Sequence, residues 1–148
     1  MKKKVIAFSS DHAAFNLKEQ LIDYVKSLGY DVVDLGPKTD AVSVSYAEQG
    51  HKLANYINDE KPDFGIAMCG TGLGISYALN RHKHIRAARV VSVEDAHLAK
   101  QHNDANVLVF GGRQVELEEA KKMVDEYIKT EFEGGRHQAR IDQLDNEE

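Results

Sequence analysis

The chain has 148 residues, of which 42% are hydrophobic, with a formal charge of −5 and one cysteine. That length is about one domain, large enough for a real core, and a lone Cys69 without Cys/His ligand spacing excludes a disulfide scaffold and a zinc module. The acidity argues against a general nucleic-acid binder, and no run of about 18 apolar residues offers a membrane span.

The start, Met1-Lys2-Lys3-Lys4-Val5, is too short in apolar residues for a signal-peptide core, so the expected address is the cytoplasm. Val5 to Phe8 reads as a buried strand. Leu17, Leu21, Tyr24, Val25 and Leu28 then recur with helical period, and Gly29 supplies a stop. Tyr30 to Leu35 reads as a strand, followed by a loop through Gly36-Pro37. A helix marked by Tyr46, Leu53, Ala54 and Ile57 ends near Lys61-Pro62-Asp63. Further along come a strand at Phe64–Met68, a helix at Ile75–Asn80, a strand at Ala87–Val91 and a helix at Val93–Gln101. Val107–Phe110 then forms a strand and Leu117–Ile128 a helix. No repeat or linker interrupts them, and the expectation is one domain over 1–148, with an acidic tail from 141 carrying Asp142, Asp145, Glu147 and Glu148.

Continuous apolar strands separated by amphipathic helices imply parallel strands covered on both faces. The predicted class is α/β, a three-layer α/β/α sandwich around a five-stranded parallel, Rossmann-like sheet. Ligands bind such sheets beyond the carboxyl ends of the strands, which directs attention to the strand-to-helix loops.

In the loop after the third strand, Gly70, Gly72 and Gly74 alternate, and backbone N–H groups there can meet an anion at a helix N-terminus. The G-x-G-x-G spacing and its place after the third strand fit a dinucleotide fingerprint poorly, although Glu94 lies at a suitable distance for a ribose. A tight turn alone would also explain the glycines. Cys69 precedes them directly; it reads as a small buried hydrophobe or, as a thiolate beside backbone donors, as a base or nucleophile. Thr71 adds a hydroxyl that could equally cap the helix. Asp11 reads as a cap or a functional carboxylate, and His12 as an anion or proton group. His102 opens a polar run, His102-Asn103-Asp104-Ala105-Asn106, whose Asn and Asp are turn formers. All the arginines (81, 86, 89, 113, 136 and 140) fall in the second half. Arg136 and Arg140 share a face if their segment is helical, and a bound phosphate would offset their repulsion.

Together, Ser10-Asp11-His12, Cys69-Gly70-Thr71-Gly72-Leu73-Gly74, Ile85-Arg86-Ala87-Ala88, His102 to Val107 and Glu133-Gly134-Gly135-Arg136-His137-Gln138-Ala139-Arg140 resemble the ribose-5-phosphate isomerase B family, which includes the galactose-6-phosphate isomerase subunits. The resemblance covers residues 4 to about 141. It implies an aldose–ketose isomerase of ribose 5-phosphate, without metal or cofactor, forming a homodimer or homotetramer with sites shared between subunits. By the same resemblance, His102 opens the furanose ring with help from Asp11, and Cys69 moves the proton between C2 and C1. The Gly70, Thr71, Gly72, Leu73 and Gly74 segment holds the oxyanion, His12, Arg113, Arg136 and Arg140 hold the phosphate, and Asn103 holds a hydroxyl. One branch of the family carries its base as a glutamate at the position of Ile75, so this chain resembles the cysteine type. Ser45 stands where the family usually has aspartate, and Arg81 where it commonly has lysine. Ser45 leaves a six-carbon sugar phosphate as an alternative substrate, and a nucleotide-binding module built on the glycine loop remains a third reading.

Overall fold

A computed structural model describes residues 4–146. Its strands are β1 (Val5–Ser10), β2 (Asp31–Asp34), β3 (Phe64–Cys69), β4 (Ala87–Arg89) and β5 (Val107–Gly111). They pair in parallel in the order β2-β1-β3-β5-β4. The helices are α1 (Phe15–Ser27), α2 (Tyr46–Glu60), α3 (Leu73–Asn80), α4 (Val93–Gln101), α5 (Leu117–Lys129) and α6 (Arg136–Asp142), with a 3-10 turn at His12–Ala14.

Strand side chains alternate between faces, and each face of the central strands is apolar. Ile6, Phe8, Ile66, Met68, Leu108 and Phe110 pack with Leu21 and Val25 of α1, Ala96 of α4, and Met123 and Val124 of α5. The opposite face, with Ala7, Ala67, Cys69, Val107 and Val109, meets Leu53, Ala54 and Ile57 of α2 and Ile75 and Leu79 of α3. This is the three-layer sandwich expected from the sequence.

The departures concern ends and edges. The edge strands β2 and β4 are shorter than the apolar runs Tyr30–Leu35 and Ala87–Val91, because an edge strand is paired on one side only and its ends are captured by other bonds. Ser92 caps α4 by accepting the Asp95 N–H at 3.0 Å, which turns the chain out of the sheet before Val91 can continue β4. On α1, Lys18 is fully buried, with its ammonium 2.9 Å from both Asp34 carboxylate oxygens and from Glu19. The acidic segment from 141 is no free appendage: α6 runs through Asp142, and Asp145 accepts the His84 N–H at 2.9 Å. The expected Glu147 and Glu148 lie outside the described residues.

Candidate active site

From β1 the chain goes to one side for β2 and returns to the other side for β3. The carboxyl ends of β1 and β3 therefore flank the point where the winding reverses, where a crevice opens in sheets of this kind. Asp11 leaves β1 there, its N–H donating to the Met68 carbonyl at 3.1 Å. Cys69 ends β3 beside it, 3% exposed and turned toward the α2 and α3 layer.

The glycine turn follows at once. Gly72 has a φ of +82°, a left-handed conformation suited to glycine, and begins α3. A Cβ on Gly74 would run into the Tyr46 ring, so the absent side chain lets α2 close on the turn. The first N–H groups of α3 have no partner within the helix; Leu73's is taken by Thr71 Oγ1 at 3.2 Å. That bond uses a lone pair and leaves the Thr71 hydroxyl proton free to donate, so its capping and anion-binding readings are compatible. Asp11 likewise caps the 3-10 turn, Oδ1 accepting the Ala14 N–H at 3.2 Å, and Oδ2 takes no part in that bond.

His12 Nδ1 accepts the Val44 N–H at 3.1 Å. An accepting Nδ1 puts the ring proton on Nε2, which makes His12 a donor for an anion. The loop after β5 is tied to the glycine turn by Gly112 N–H to Cys69 carbonyl at 2.8 Å and Arg113 N–H to Gly70 carbonyl at 3.0 Å. The Arg113 guanidinium lies over Gly70, with Nη1 3.2 Å from where a Cβ there would stand. Asp11, His12, Cys69 to Gly74 and Arg113 thus share one edge of the sheet.

The other expected residues do not join them within one chain. Because β4 and β5 are parallel, α4 must run back from the carboxyl to the amino edge, and His102, which ends it, lies at the amino edge. Asn103 precedes β5 and Arg113 follows it, so the strand, roughly 13 Å between its terminal Cα atoms at about 3.3 Å per step, separates them. Arg136 and Arg140 belong with His102. The segment into α6 is fastened to α4 by the Glu133 N–H on the Gln101 carbonyl at 2.9 Å, and the His102 and His137 rings stack with centroids 4.5 Å apart. Arg136 and Arg140 occupy one helix, as their spacing suggested, and among the described residues neither they nor Arg113 is paired with a carboxylate. Within one chain Arg113 thus stands at the carboxyl edge of the sheet, and Arg136 and Arg140 stand with His102 at the amino edge.

Two positioning arginines had no expected role, although Arg86 lies in one of the segments that carry the family resemblance. Arg86 donates to the Asn103 carbonyl at 3.0 Å and from Nη2 to the Asp104 carbonyl at 2.9 Å, holding the loop after His102. Arg89 donates to the Thr71 carbonyl at 2.9 Å and to Gln114 Oε1 at 2.7 Å. In a trans peptide the N–H points opposite the carbonyl, so fixing the Thr71 carbonyl also fixes the direction of the Gly72 N–H. Asn106 acts in the fold, accepting the Arg86 N–H at 2.8 Å and donating to the His84 carbonyl at 2.8 Å.

The family model described as Ribose/Galactose Isomerase matches residues 6–144. The chain belongs to this family. The ribose-5-phosphate isomerase B of Escherichia coli K12 is 40% identical over 141 residues, 95% of this chain and 94% of that protein. A crystal structure of a ribose 5-phosphate isomerase from Thermotoga maritima has a TM-score of 0.95 at 43% identity, covering 99% of this chain and 100% of that one. The Mycoplasma genitalium ribose-5-phosphate isomerase B, solved with ribulose-5-phosphate bound, has a TM-score of 0.91 at 39% identity, covering 97% and 95% of the two chains. Within the ribose/galactose isomerase family, this chain's Ile75 is fully buried between α3 and α2, and its Ser45 hydroxyl accepts the Ala47 and Glu48 N–H groups as the cap of α2. No helix among the described residues is long and apolar enough to cross a membrane.

Proposed function

We propose that this chain is an aldose–ketose isomerase interconverting ribose 5-phosphate and ribulose 5-phosphate, each site being completed by a second copy of the chain. The observation that carries this reading is a thiol, Cys69, ending β3 at the reversal point of the sheet, with Asp11 leaving the neighbouring β1 and the N-terminus of α3 following the glycine turn. Membership of the family supports it, as does the Mycoplasma genitalium relative with ribulose-5-phosphate bound.

In this reading His102 of the second copy moves a proton between the ring oxygen and the anomeric hydroxyl, with Asp11 on the sugar oxygens, and the furanose opens to the aldehyde. The Cys69 thiolate takes the C2 proton, the electron pair forms the C1–C2 double bond, and O1 becomes the oxyanion. The turn's N–H groups and the Thr71 hydroxyl stabilise that charge where it develops. A proton passes from O2 to O1, and the thiol returns its own proton to C1, giving the ketone at C2. His12 and Arg113 from one copy, with Arg136 and Arg140 from the other, hold the phosphate, and Asn103 a hydroxyl. Binding at that remote group orients the reacting carbons.

The opposite-edge placement supports a shared site in a homodimer or homotetramer, since the proposed groups meet only between copies. Leu73, Tyr77 and Val91 are 40%, 59% and 55% exposed around the Cys69 edge, and a cavity of about 430 Å³ lies beside Asn103 and Arg86; both fit surfaces covered on association. The proposed address is the cytoplasm, on the cysteine usage and composition.

A coupled assay tests the reading: ribose 5-phosphate is turned over, and kcat/KM for a six-carbon sugar phosphate is lower. A tenfold preference for the six-carbon substrate would instead favour the reading suggested by Ser45, whose short side chain is occupied in capping α2.

A further inference from the structure

Beside His102 stands a group that the isomerase chemistry leaves unused. His137 on α6 is 8% exposed, and its Nε2 has no hydrogen-bond partner. Its ring lies on the His102 ring at 4.5 Å between centroids and 14° between planes. Glu133 completes the cluster, with a carboxylate oxygen 3.9 Å from His102 Nε2.

Ligand atoms of the three residues lie within 4.8 Å of one another, which raises the question of a cation. The stack speaks against that use. Imidazole lone pairs lie in the ring plane, so stacked, near-parallel rings keep them in two separate, near-parallel planes, whereas ligands at about 2.0–2.1 Å from a zinc ion must converge on one point. An unpartnered buried nitrogen on a ring packed face to face with another contributes its flat surface.

Charge agrees with packing. Burial pushes the His137 imidazole below its ordinary value, Arg136, His102 and Arg140 add to that, and Glu133 opposes it. His137 therefore stays neutral when the medium is neutral. Of the two stacked rings, His102 is the half-open one, with Glu133 3.9 Å from its Nε2.

We propose that His137 is a positioning residue for ring opening: its stacked face holds the His102 imidazole in the orientation that reaches the sugar ring of the neighbouring copy. This rests on the role given to His102 above. Nothing in it touches the carbon-to-carbon proton transfer at Cys69.

Ribulose 5-phosphate separates the two steps, because its C5 oxygen is esterified and it cannot close to a furanose. Exchange of its C1 proton with deuterated solvent reports Cys69 chemistry alone, while turnover of ribose 5-phosphate needs both steps. For His137→Ala, ribose 5-phosphate kcat should fall at least tenfold and the C1 exchange rate by less than threefold. His137→Phe keeps a flat ring and removes the unpartnered nitrogen, and should recover turnover to within about threefold of the parent. Equal loss of both activities in His137→Ala, loss of neither, or failure of His137→Phe to recover turnover overturns the proposal. If His137→Ala does not fold, the Phe variant alone decides by the same criterion. His102→Asn is the control for the underlying reading: if it leaves ribose 5-phosphate turnover intact, the role of His102 falls, whatever His137 does.

Discussion

Mixing two inactive variants tests the separation of the site residues across the sheet. Cys69→Ala removes the proposed base at the carboxyl edge, and His102→Asn removes the ring-opening group at the amino edge, with the length of β5 between the two edges. If each site takes Cys69 from one copy and His102 from another, a mixed dimer contains one doubly damaged site and one intact site. Random exchange makes half the dimers mixed, and half the sites in those are intact, so an equimolar mixture recovers about a quarter of parental activity. Each variant alone should show almost none. The assay is coupled turnover of ribose 5-phosphate after co-refolding, with native mass spectrometry confirming mixed dimers. Mixed dimers formed without recovered turnover would refute the shared-site geometry.

Three further outcomes follow from particular contacts. Lys18→Met strands the Asp34 carboxylate of a buried pair. Loss of one partner costs about 3–5 kcal/mol in full burial, and because Asp34 is 17% exposed and keeps Lys38 nearby, about 2–3 kcal/mol is expected, a Tm lower by roughly 5–10 °C. Burial pushes the Asp34 carboxyl up, but the Lys18 ammonium, the Gly36 N–H and Lys38 outweigh it and hold the group below its ordinary value. Its contribution to stability is then present above the unfolded pKa of about 3.9 and is lost as pH falls through the lower folded value. The difference in stability between parent and Lys18→Met should shrink in that acid range, and a constant difference down to pH 2 would count against the pair. Gly74→Ala should lower stability by about 1–3 kcal/mol through overpacking on Tyr46, and Tyr46→Ala in the same chain should restore most of it; additive losses on thermal unfolding would show the ring is not the obstacle. Arg136→Ala should raise KM for ribose 5-phosphate about tenfold or more with a smaller change in kcat, and unchanged kinetics would remove Arg136 from the phosphate site.

The elements were legible because each strand alternates faces within a continuous apolar run and each helix has one apolar stripe. Val107 to Phe110, for example, divides between the two cores just as β5 does. Asp11, Cys69 and the glycines were legible as neighbours because all of them end strands at one edge. Periodicity alone does not say which edge of the sheet His102 and Arg136 reach; that follows from the parallel pairing of β4 and β5, which returns α4 to the amino edge. The burial of Lys18 was not legible, because its partner Asp34 lies on another element. Arg89 and Arg86 act on backbone carbonyls, which leave no mark in a side-chain pattern. The Ser45 departure keeps a local explanation, since serine caps α2 well.

The most direct test of Cys69 as the proton-transferring base is kcat for Cys69→Ala with ribose 5-phosphate, measured beside ligand binding by calorimetry. The account predicts a fall in kcat of at least about a hundredfold, the range for loss of a general base, with binding largely kept. Retention of more than about a tenth of parental kcat would mean that another group carries the proton, contradicting the mechanism.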